Sequence, residues 1–246
     1  MKIPILKGLI RRRLLVNFRA DPELIRPILP KPFRPKLQRD QAIVGVCLIR
    51  LEQIRPSALP LPLGIVSENA AHRIAVEWDD VDGQKREGVF IPRRDTSAWV
   101  NHLAGGRLFP GQHHLASFQV RSDSDRIAFA MRSHDRKVEV RLAGRVTDGL
   151  PPASCFADLA EASAFFAAGS LGYSIRQDSA RLDGLWLRTR QWKVEALELS
   201  HVFASYYQAG EVFAAGKVVY DHTLLMRNIE HEWHAATEPE SEPSES

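Results

Sequence analysis

The stretch VSENAAHRIAV, from Val66 to Val76, decides the fold class of this 246-residue chain. Apolar and polar residues alternate along it, and a period of two is typical of a β-strand. Glu68 and His72 share one face with Ile74, and we expect that face to point into the fold. A buried carboxylate needs a partner or a shifted pKa, because removing an unpaired charge from water is costly. The alternative is a bulge that breaks the register and turns Glu68 to solvent.

The same β pattern recurs through the rest of the chain. Leu14–Phe18 alternates, whereas Ala42–Ile54 is apolar on both faces, as in a central strand. Further strands are predicted over Leu115–Val120, Arg126–Arg132, Lys137–Val146, Ala180–Arg188, Gln191–Leu199 and Lys217–Arg227. Many strands, few helices and no regular strand–helix alternation predict an α+β fold that is mainly antiparallel β, arranged as a barrel or double sheet.

A few short helices complete the predicted fold. Asp21 is a suitable N-cap, with proline at the first helical position, for a helix over Glu23–Ile28. An amphipathic helix is predicted to begin at Pro152 or Ser154 and to end at Gly169. A further short helix is predicted over His201–Gln208.

Charge and composition divide the chain into one domain and a tail. Residues 237–246 contain four glutamates, prolines and serines without a hydrophobic anchor, so we expect them to be disordered. The formal net charge is +3, so the remaining 236 residues carry +7. We expect residues 1–236 to form a single domain.

Several classes of protein are excluded by the same composition. Basic residues are dispersed, with no run longer than Arg11–Arg13 and no aromatic-basic motif, so no nucleic-acid partner is expected. No window of 18 apolar residues and no signal-peptide pattern is present, which predicts no membrane association. Cys47 and Cys155 are too few for a disulfide framework, which indicates reduced thiols in a cytoplasmic protein.

Two adjacent histidines, His113 and His114, lie near the middle of the chain. In a strand His114 shares a face with Phe118, whereas His113 shares one with Leu115, so His114 is the better inward candidate. A core histidine bonded to backbone is the alternative. By the same reasoning Arg12 faces inward rather than Arg11, and such an arginine would suit a carboxylate ligand.

No metal or cofactor is expected, although the chain has nine histidines. His113 and His114 face opposite ways in a strand, and the His231–His234 spacing matches no zinc-hydrolase motif. The chain also lacks a glycine-rich phosphate loop and a serine nucleophile elbow.

Three blocks in a fixed order carry a family resemblance. They are Asp21–Pro30 (DPELIRPILP) leading into Ala42–Val46 (AIVGV), Ser67–Arg73 (SENAAHR) and Gly88–Ile91 (GVFI). Together they resemble the family with domain of unknown function 2071 (DUF2071), within the acetoacetate decarboxylase-like superfamily, over Arg11–Tyr220. The resemblance implies a β-barrel-like fold with an internal cavity for a small molecule.

The resemblance also suggests roles for individual residues. Glu68 matches a pocket glutamate, and Arg11 is the nearest match to the arginine that binds the substrate carboxylate. The second pocket glutamate of the decarboxylases falls at Cys47. Their lysine pair falls near His113 and His114, after Phe109-Pro110. A lysine forms a Schiff base with a ketone and a histidine does not, so we expect no Schiff-base decarboxylation.

Three functions follow from these residues. The first is binding of a small oxo or carboxylic acid, contacted by Arg11, Arg12, Cys47, Asn69 and His72. The second is a lysine-independent lyase, hydrolase or isomerase that uses Glu68 with His113 or His114 for acid–base catalysis. The third is a protein-interaction or structural role. Whether the protein is an enzyme, and whether it forms a homo-oligomer, is left open by the sequence.

Overall fold

The computed structural model describes residues 5–58, 64–99, 111–176, 181–210 and 212–239. Within these ranges the fold is α+β and mainly antiparallel, as predicted. The strands are β1 (Leu6–Ala20), β2 (Arg34–Pro35), β3 (Leu37–Gln38), β4 (Gln41–Pro56), β5 (Ile65–Asp79), β6 (Lys85–Thr96), β7 (His113–Ser122), β8 (Arg126–Ser133), β9 (Glu139–Thr147), β10 (Leu171–Ile175), β11 (Leu182–Thr189), β12 (Glu195–Ala204) and β13 (Val218–Ala236). The helices are α1 (Pro22–Ile25), which continues as a 3-10 turn over Arg26–Ile28, α2 (Leu159–Ala168) and α3 (Ser205–Gln208).

Five strands form a wall that belongs to two rings of hydrogen-bonded strands. We call β13, β1, β4, β5 and β6, in that order, the shared sheet. One ring closes from β6 through β7, β8, β9 and β12 back to β13. The other closes from β6 through β10 and β11 back to β13. The shared sheet is therefore covered on both sides.

Each face of the shared sheet packs against a separate hydrophobic core. Leu14, Val46 and Ile74 point to what we call the meander face, where they meet residues of β8 and β9 such as Phe129. Leu15 and other residues of the opposite face, the helix face, meet Phe156, Phe165 and Phe166 in and before α2. Burial on both faces explains why Ala42–Ile54 is apolar without alternation.

The helix starts were predicted with mixed success. The Asp21 side chain accepts a hydrogen bond from Glu23 N at 2.9 Å, which confirms the N-cap of α1. The start predicted for the longer helix at Pro152 or Ser154 was wrong, because α2 begins at Leu159 and is capped by Asp158. Ser154 Oγ instead donates to Asp221 Oδ1 at 2.6 Å.

In the last third of the chain, the observed bounds of strands and helices differ most from those predicted from the sequence. β10 has only five residues and was not predicted, and β12 extends to Ala204, into the predicted helix His201–Gln208. In the segment predicted to be a tail, Glu238 forms an ion pair with Arg181 at 2.7 Å, while residues 240–246 lie outside the described ranges. No helix of the described residues is long and apolar enough to span a membrane.

Candidate functional site

A pocket of about 130 Å³ lies on the helix face of the shared sheet. One wall is formed by β1, β4, β5 and β6, together with Trp233 of β13, and the other by β10, β11, the residues just after α2 and Trp192. One water molecule needs only ~10–15 Å³ on this measure, so the pocket has room for a small organic molecule. Its lining combines aliphatic and aromatic side chains with a few polar groups, as ligand sites do.

Residues that pair between neighbouring strands form rows that run across the sheet. The polar lining residues lie in three adjacent rows of this kind. One row runs from Cys47 to Ala71, Arg94 and His113, on β4, β5, β6 and β7. In the row on one side, Gly45 pairs with Arg73. The row on the other side contains Arg13, Ile49 and Asn69. The three arginines thus lie in three successive rows, on β1, β6 and β5, and all three line the pocket.

Arg73 is the most deeply buried of these arginines, with 5% of its surface exposed. Its Nη2 donates to Asn17 Oδ1, and its guanidinium lies 4.8 Å from the centre of the Phe166 ring. Its Nε is buried and has no hydrogen-bond partner within the described part of the chain. Burial lowers the pKa of Arg73 to about 10, because the charged form loses its hydration.

Arg94 and Arg13 show the same incomplete pairing. Arg94 Nη2 is 3.4 Å from Ser174 Oγ, and burial lowers the pKa of Arg94 to about 10. Arg13 Nε donates to the Cys47 sulfur at 3.3 Å, and its guanidinium lies 5.7 Å from the Trp192 ring. Arg94 Nε and Arg13 Nη1 are buried without a hydrogen-bond partner among the residues that the structure describes.

The described lining offers no carboxylate to balance these charges. Its one acidic residue, Asp95, directs its carboxylate to Arg93 Nη2 at 2.7 Å. That carboxylate is also 3.7 Å from His72 Nε2, a residue of the meander face. Burial raises the pKa of Asp95, although the Arg93 ion pair opposes the shift. The pocket therefore presents buried donors and positive charge to whatever occupies it.

Three of the residues predicted from sequence line this pocket. They are Cys47, Asn69 and His113. The amide of Asn69 is held in place, since Oδ1 accepts from Thr96 Oγ1 at 2.7 Å and Nδ2 donates to Ser67 Oγ at 2.8 Å. The tripeptide Leu108-Phe109-Pro110, which precedes the histidines, lies outside the described residues.

Glu68 and the two predicted arginines lie elsewhere. Glu68 is buried, as its strand parity predicted, but it points to the meander face, where Arg12 Nη2 donates to it at 2.6 Å. Arg50 Nη1 is 3.3 Å from the other carboxylate oxygen. Arg11 sits at a bulge in β1 and pairs with Glu52 at 2.8 Å in a largely exposed position. The structure thus does not bring Glu68 and His113 to the same face.

His72 and His114 also belong to the meander side. His72 is fully buried and stacks on Tyr206 at 4.5 Å, and burial lowers its pKa to about 3. His114 Nδ1 is 3.3 Å from Asp135 Oδ2. Strand parity favoured His114 over His113 as the inward residue, whereas it is His113 that lines the pocket.

The arginines of the pocket were missed by the sequence reasoning. The sequence-based predictions named Arg11 and Arg12 as ligand-binding residues and did not include Arg13, Arg73 or Arg94. The sequence does indicate a second buried side of the sheet, because Ala42–Ile54 is apolar on both faces. Arg13 shares the second side with Leu15, and Arg73 shares it with Ala71 and Ala75.

The described pocket lining contains no lysine. Lys36 lies beside a smaller neighbouring cavity, where its Nζ pairs with Glu87 at 2.5 Å and lies 4.0 Å from the Phe165 ring centre. Among the described residues, no group of three or more His, Cys, Asp and Glu side chains is arranged to hold a metal ion.

Solved structures with a similar fold include acetoacetate decarboxylases and an enduracididine biosynthesis enzyme. An acetoacetate decarboxylase from Legionella pneumophila is 13% identical, with a TM-score of 0.58 over 95% of this chain and 87% of that one. An acetoacetate decarboxylase-like enzyme from Sphingomonas wittichii is 15% identical, with a TM-score of 0.60 over 98% and 94%. The enduracididine biosynthesis enzyme MppR, complexed with pyruvate, is 14% identical, with a TM-score of 0.56 over 98% and 91%.

These identities are low, and the likeness establishes the fold alone. No curated protein matches the chain. The family profile described as an uncharacterised conserved protein matches residues 9–221, which is most of the chain and close to the span of the resemblance seen in the sequence. The fold and the matched residues agree, and the chain belongs to the DUF2071 family, with an acetoacetate decarboxylase-like fold.

Proposed function

We propose that the pocket on the helix face binds a small organic anion through a carboxylate group. Three arginines from neighbouring rows, Arg13, Arg73 and Arg94, would supply the counter-charge. The observation that carries the proposal is the set of buried guanidinium nitrogens without hydrogen-bond partners among the described residues. An unsatisfied buried donor on a charged group costs about 1–3 kcal/mol or more, and a bound carboxylate would satisfy several such donors at once.

The rest of the lining fits a ligand with a short apolar part. Leu185, Leu187 and Trp192 lie on the wall opposite the arginines. The amide of Asn69 and the ring of His113 add polar groups to the lining. A short-chain oxo acid has this combination of one charged end, one carbonyl and few carbons.

Pyruvate is the probe that the similar folds suggest. One of the solved structures of similar fold is MppR complexed with pyruvate. Transfer of that ligand class to this chain is an inference from the fold, and it agrees with the size and charge of the pocket described above.

Imine chemistry is not part of the proposal. A Schiff base needs an amine within reach of the carbonyl; the described pocket lining has no lysine, and Lys36, beside the smaller neighbouring cavity, pairs through Nζ with Glu87. We therefore expect borohydride treatment in the presence of pyruvate to leave the protein mass unchanged. A reduced adduct located on Lys36 would contradict this expectation, and Lys36→Arg would remove it.

Thermal unfolding with charged and neutral ligands tests the proposal. We expect pyruvate to raise Tm with a saturable dose response, because a ligand that binds the folded state stabilises it by RT ln(1 + [L]/Kd). Pyruvamide has a similar shape but lacks the charge, and we expect it to give no comparable shift. Equal shifts from both compounds would contradict the proposal.

Arginine variants localise the binding. Arg94→Gln is the preferred change, because the described hydrogen bond that it removes, to Ser174 Oγ, is long at 3.4 Å. We expect it to weaken pyruvate binding about tenfold or more, the effect of losing one charge-assisted pair. Arg145→Gln is the matched control, since Arg145 pairs with Glu198 on the protein surface. If pyruvate raised the Tm of Arg94→Gln as much as that of the wild type, the ligand would not bind at Arg94.

The acid–base alternative has less support from the geometry. Glu68 is engaged by Arg12 and Arg50 on the meander face, away from the pocket. Lyase, hydrolase or isomerase activity through Glu68 and His113 or His114 therefore stays a prediction, and the anion-binding proposal does not depend on it.

A further inference from the structure

Cys47 lines the same pocket as Arg13, Arg73 and Arg94. It lies on β4 in the row that continues through Ala71 to Arg94, and only the small Ala71 residue separates it from Arg94 along that row. On its other side Arg13 Nε donates to Sγ at 3.3 Å. The Cys47 sulfur also contributes to the electrostatic environment of both Arg73 and Arg94.

A second observation points to a ligand at the same place. Arg73 is more than nine-tenths buried and lines the pocket, and its Nε has no hydrogen-bond partner among the described residues. A carboxylate bound by the guanidinium groups of Arg73 and Arg94 would place the atoms next to it near the Cys47 thiol, which lines the same pocket. The arginines would thus position both the anion and the nucleophile.

We propose that Cys47 is a nucleophile that forms a reversible covalent adduct with an oxo acid bound by the arginines. This inference rests on the proposed function. The cysteine sulfur bonds to the carbonyl carbon, and the carbon–oxygen π bond breaks. The thiol proton ends on the former carbonyl oxygen, which becomes a hydroxyl. The product is a thiohemiketal, and its formation needs no oxidant, reductant or further reactant.

The second cysteine of the chain is a matched control. Cys155 is as buried as Cys47, at 8% exposure. It lies beside the Asp221 carboxylate rather than among arginines, and burial together with that carboxylate raises its pKa to about 12. The two thiols therefore differ in electrostatic surroundings more than in access to solvent.

Alkylation with a charged and a neutral reagent tests carboxylate-directed reactivity. Iodoacetate and iodoacetamide are close in size and react in the same way, since a sulfur–carbon bond forms and iodide leaves. We expect iodoacetate to modify Cys47 about tenfold faster than iodoacetamide, with saturation kinetics, because the arginines bind its carboxylate first. Pyruvate should protect Cys47, and Cys155 should show no preference for the anion. Peptide mass spectrometry follows each cysteine separately.

Direct detection of the adduct completes the test. With pyruvate labelled with carbon-13 at the carbonyl, we expect a protein-bound signal of a tetrahedral carbon in NMR spectra of the wild type and of Cys155→Ser. Cys47→Ser should lose that signal and show a smaller pyruvate-induced rise in Tm, because the covalent bond no longer adds to the binding free energy.

The outcomes separate this inference from the proposed function. If pyruvate stabilises the wild type through Arg94 but no tetrahedral carbon forms, the covalent step is wrong and anion binding stands. Equal rates of Cys47 alkylation by the two reagents would likewise contradict the proposal that the arginines direct a carboxylate to the thiol. If pyruvate neither raises Tm nor protects Cys47, the proposed function itself fails.

Discussion

Arg73 reaches across β4 to Asn17, so a buried arginine of the pocket is held by a residue two strands away. Gly45 pairs with both residues and has no side chain to separate them. Arg73 Nη2 donates to Asn17 Oδ1, and Asn17 Nδ2 is 3.0 Å from His222 Nε2. His222 Nδ1 in turn bonds to Asp221 Oδ1, and Arg19 pairs with the same carboxylate at 2.9 Å. The chain of contacts fixes the direction in which the guanidinium enters the pocket.

Removal of the Asn17 amide should affect both stability and binding. Asn17→Ala leaves Arg73 Nη2 and His222 Nε2 buried without this partner, and we expect a loss of about 3 kcal/mol in the free energy of unfolding. The pyruvate affinity should fall as well, because the guanidinium is no longer held in one orientation. Urea unfolding and calorimetry measure the two effects. Ser200→Ala, which removes an exposed hydroxyl, should change neither, and a fully stable Asn17→Ala protein would refute the contact chain.

Gly45 is predicted to tolerate no side chain. A Cβ at this position would lie 2.2 Å from Val16 O and 3.2 Å from Asn17 Cα, and both atoms belong to the backbone of β1. We expect Gly45→Ala to force β1 and β4 apart and to lower the free energy of unfolding by about 3 kcal/mol or more. Gly149→Ala, with no atom within 4 Å of its Cβ, should be close to neutral in the same urea titration. Similar stability of the two variants would show that this strand pair is looser than described.

Glu68 is predicted to serve stability rather than ligand binding. Glu68→Gln leaves the buried Arg12 guanidinium without a carboxylate, which should cost about 3 kcal/mol. The pyruvate affinity should stay within about twofold of the wild type, because Glu68 faces away from the pocket. Glu198→Gln, in an exposed ion pair, should lose no more than about 1 kcal/mol. Loss of binding at unchanged stability would favour the acid–base alternative instead.

Acid should destabilise the fold through its buried histidines. The pKa of His72 is about 3 in the folded protein and that of His231 is about 4, whereas an unfolded histidine has a pKa of about 6.5. Below about pH 6.5 the unfolded state binds more protons, so the free energy of unfolding falls as pH falls. Each histidine contributes about 1.4 kcal/mol per pH unit until pH reaches its folded pKa.

His72→Phe isolates one of these contributions. The phenyl ring can keep the stacking on Tyr206, and it does not titrate. Between pH 6 and pH 5 we expect the slope of the free energy of unfolding to decrease by about 1.4 kcal/mol per pH unit relative to the wild type. Ser200→Ala, which removes an exposed hydroxyl and no titratable group, should leave the slope unchanged. An unaltered slope in His72→Phe would mean that this histidine is protonated in the folded state.

The strands were predictable because alternation and apolar runs are local signals. Val66–Val76 and Ala42–Ile54 lie in β5 and β4, and the burial of Glu68 and His72 follows from parity. The short β10 was not predictable, since five residues carry little periodicity and its partners are supplied by β6 and β11.

The location of the pocket could not be predicted in the same way. Alternation separates the two faces of a strand but does not say which elements cover each face. The helix face of β5 is covered by residues around α2 and by β10 and β11, which follow about 100 residues later. The choice between His113 and His114 likewise depends on the parallel pairing of His113 with Arg94, which no local pattern specifies.

A crystal structure of the protein with pyruvate, at a concentration that saturates its effect on Tm, tests the central claim most directly. We expect electron density for the ligand on the helix face, with its carboxylate within hydrogen-bond distance of the Arg73 and Arg94 guanidinium groups. An empty arginine pocket at that concentration, or pyruvate bound beside Glu68 and Arg12 on the meander face, would contradict it.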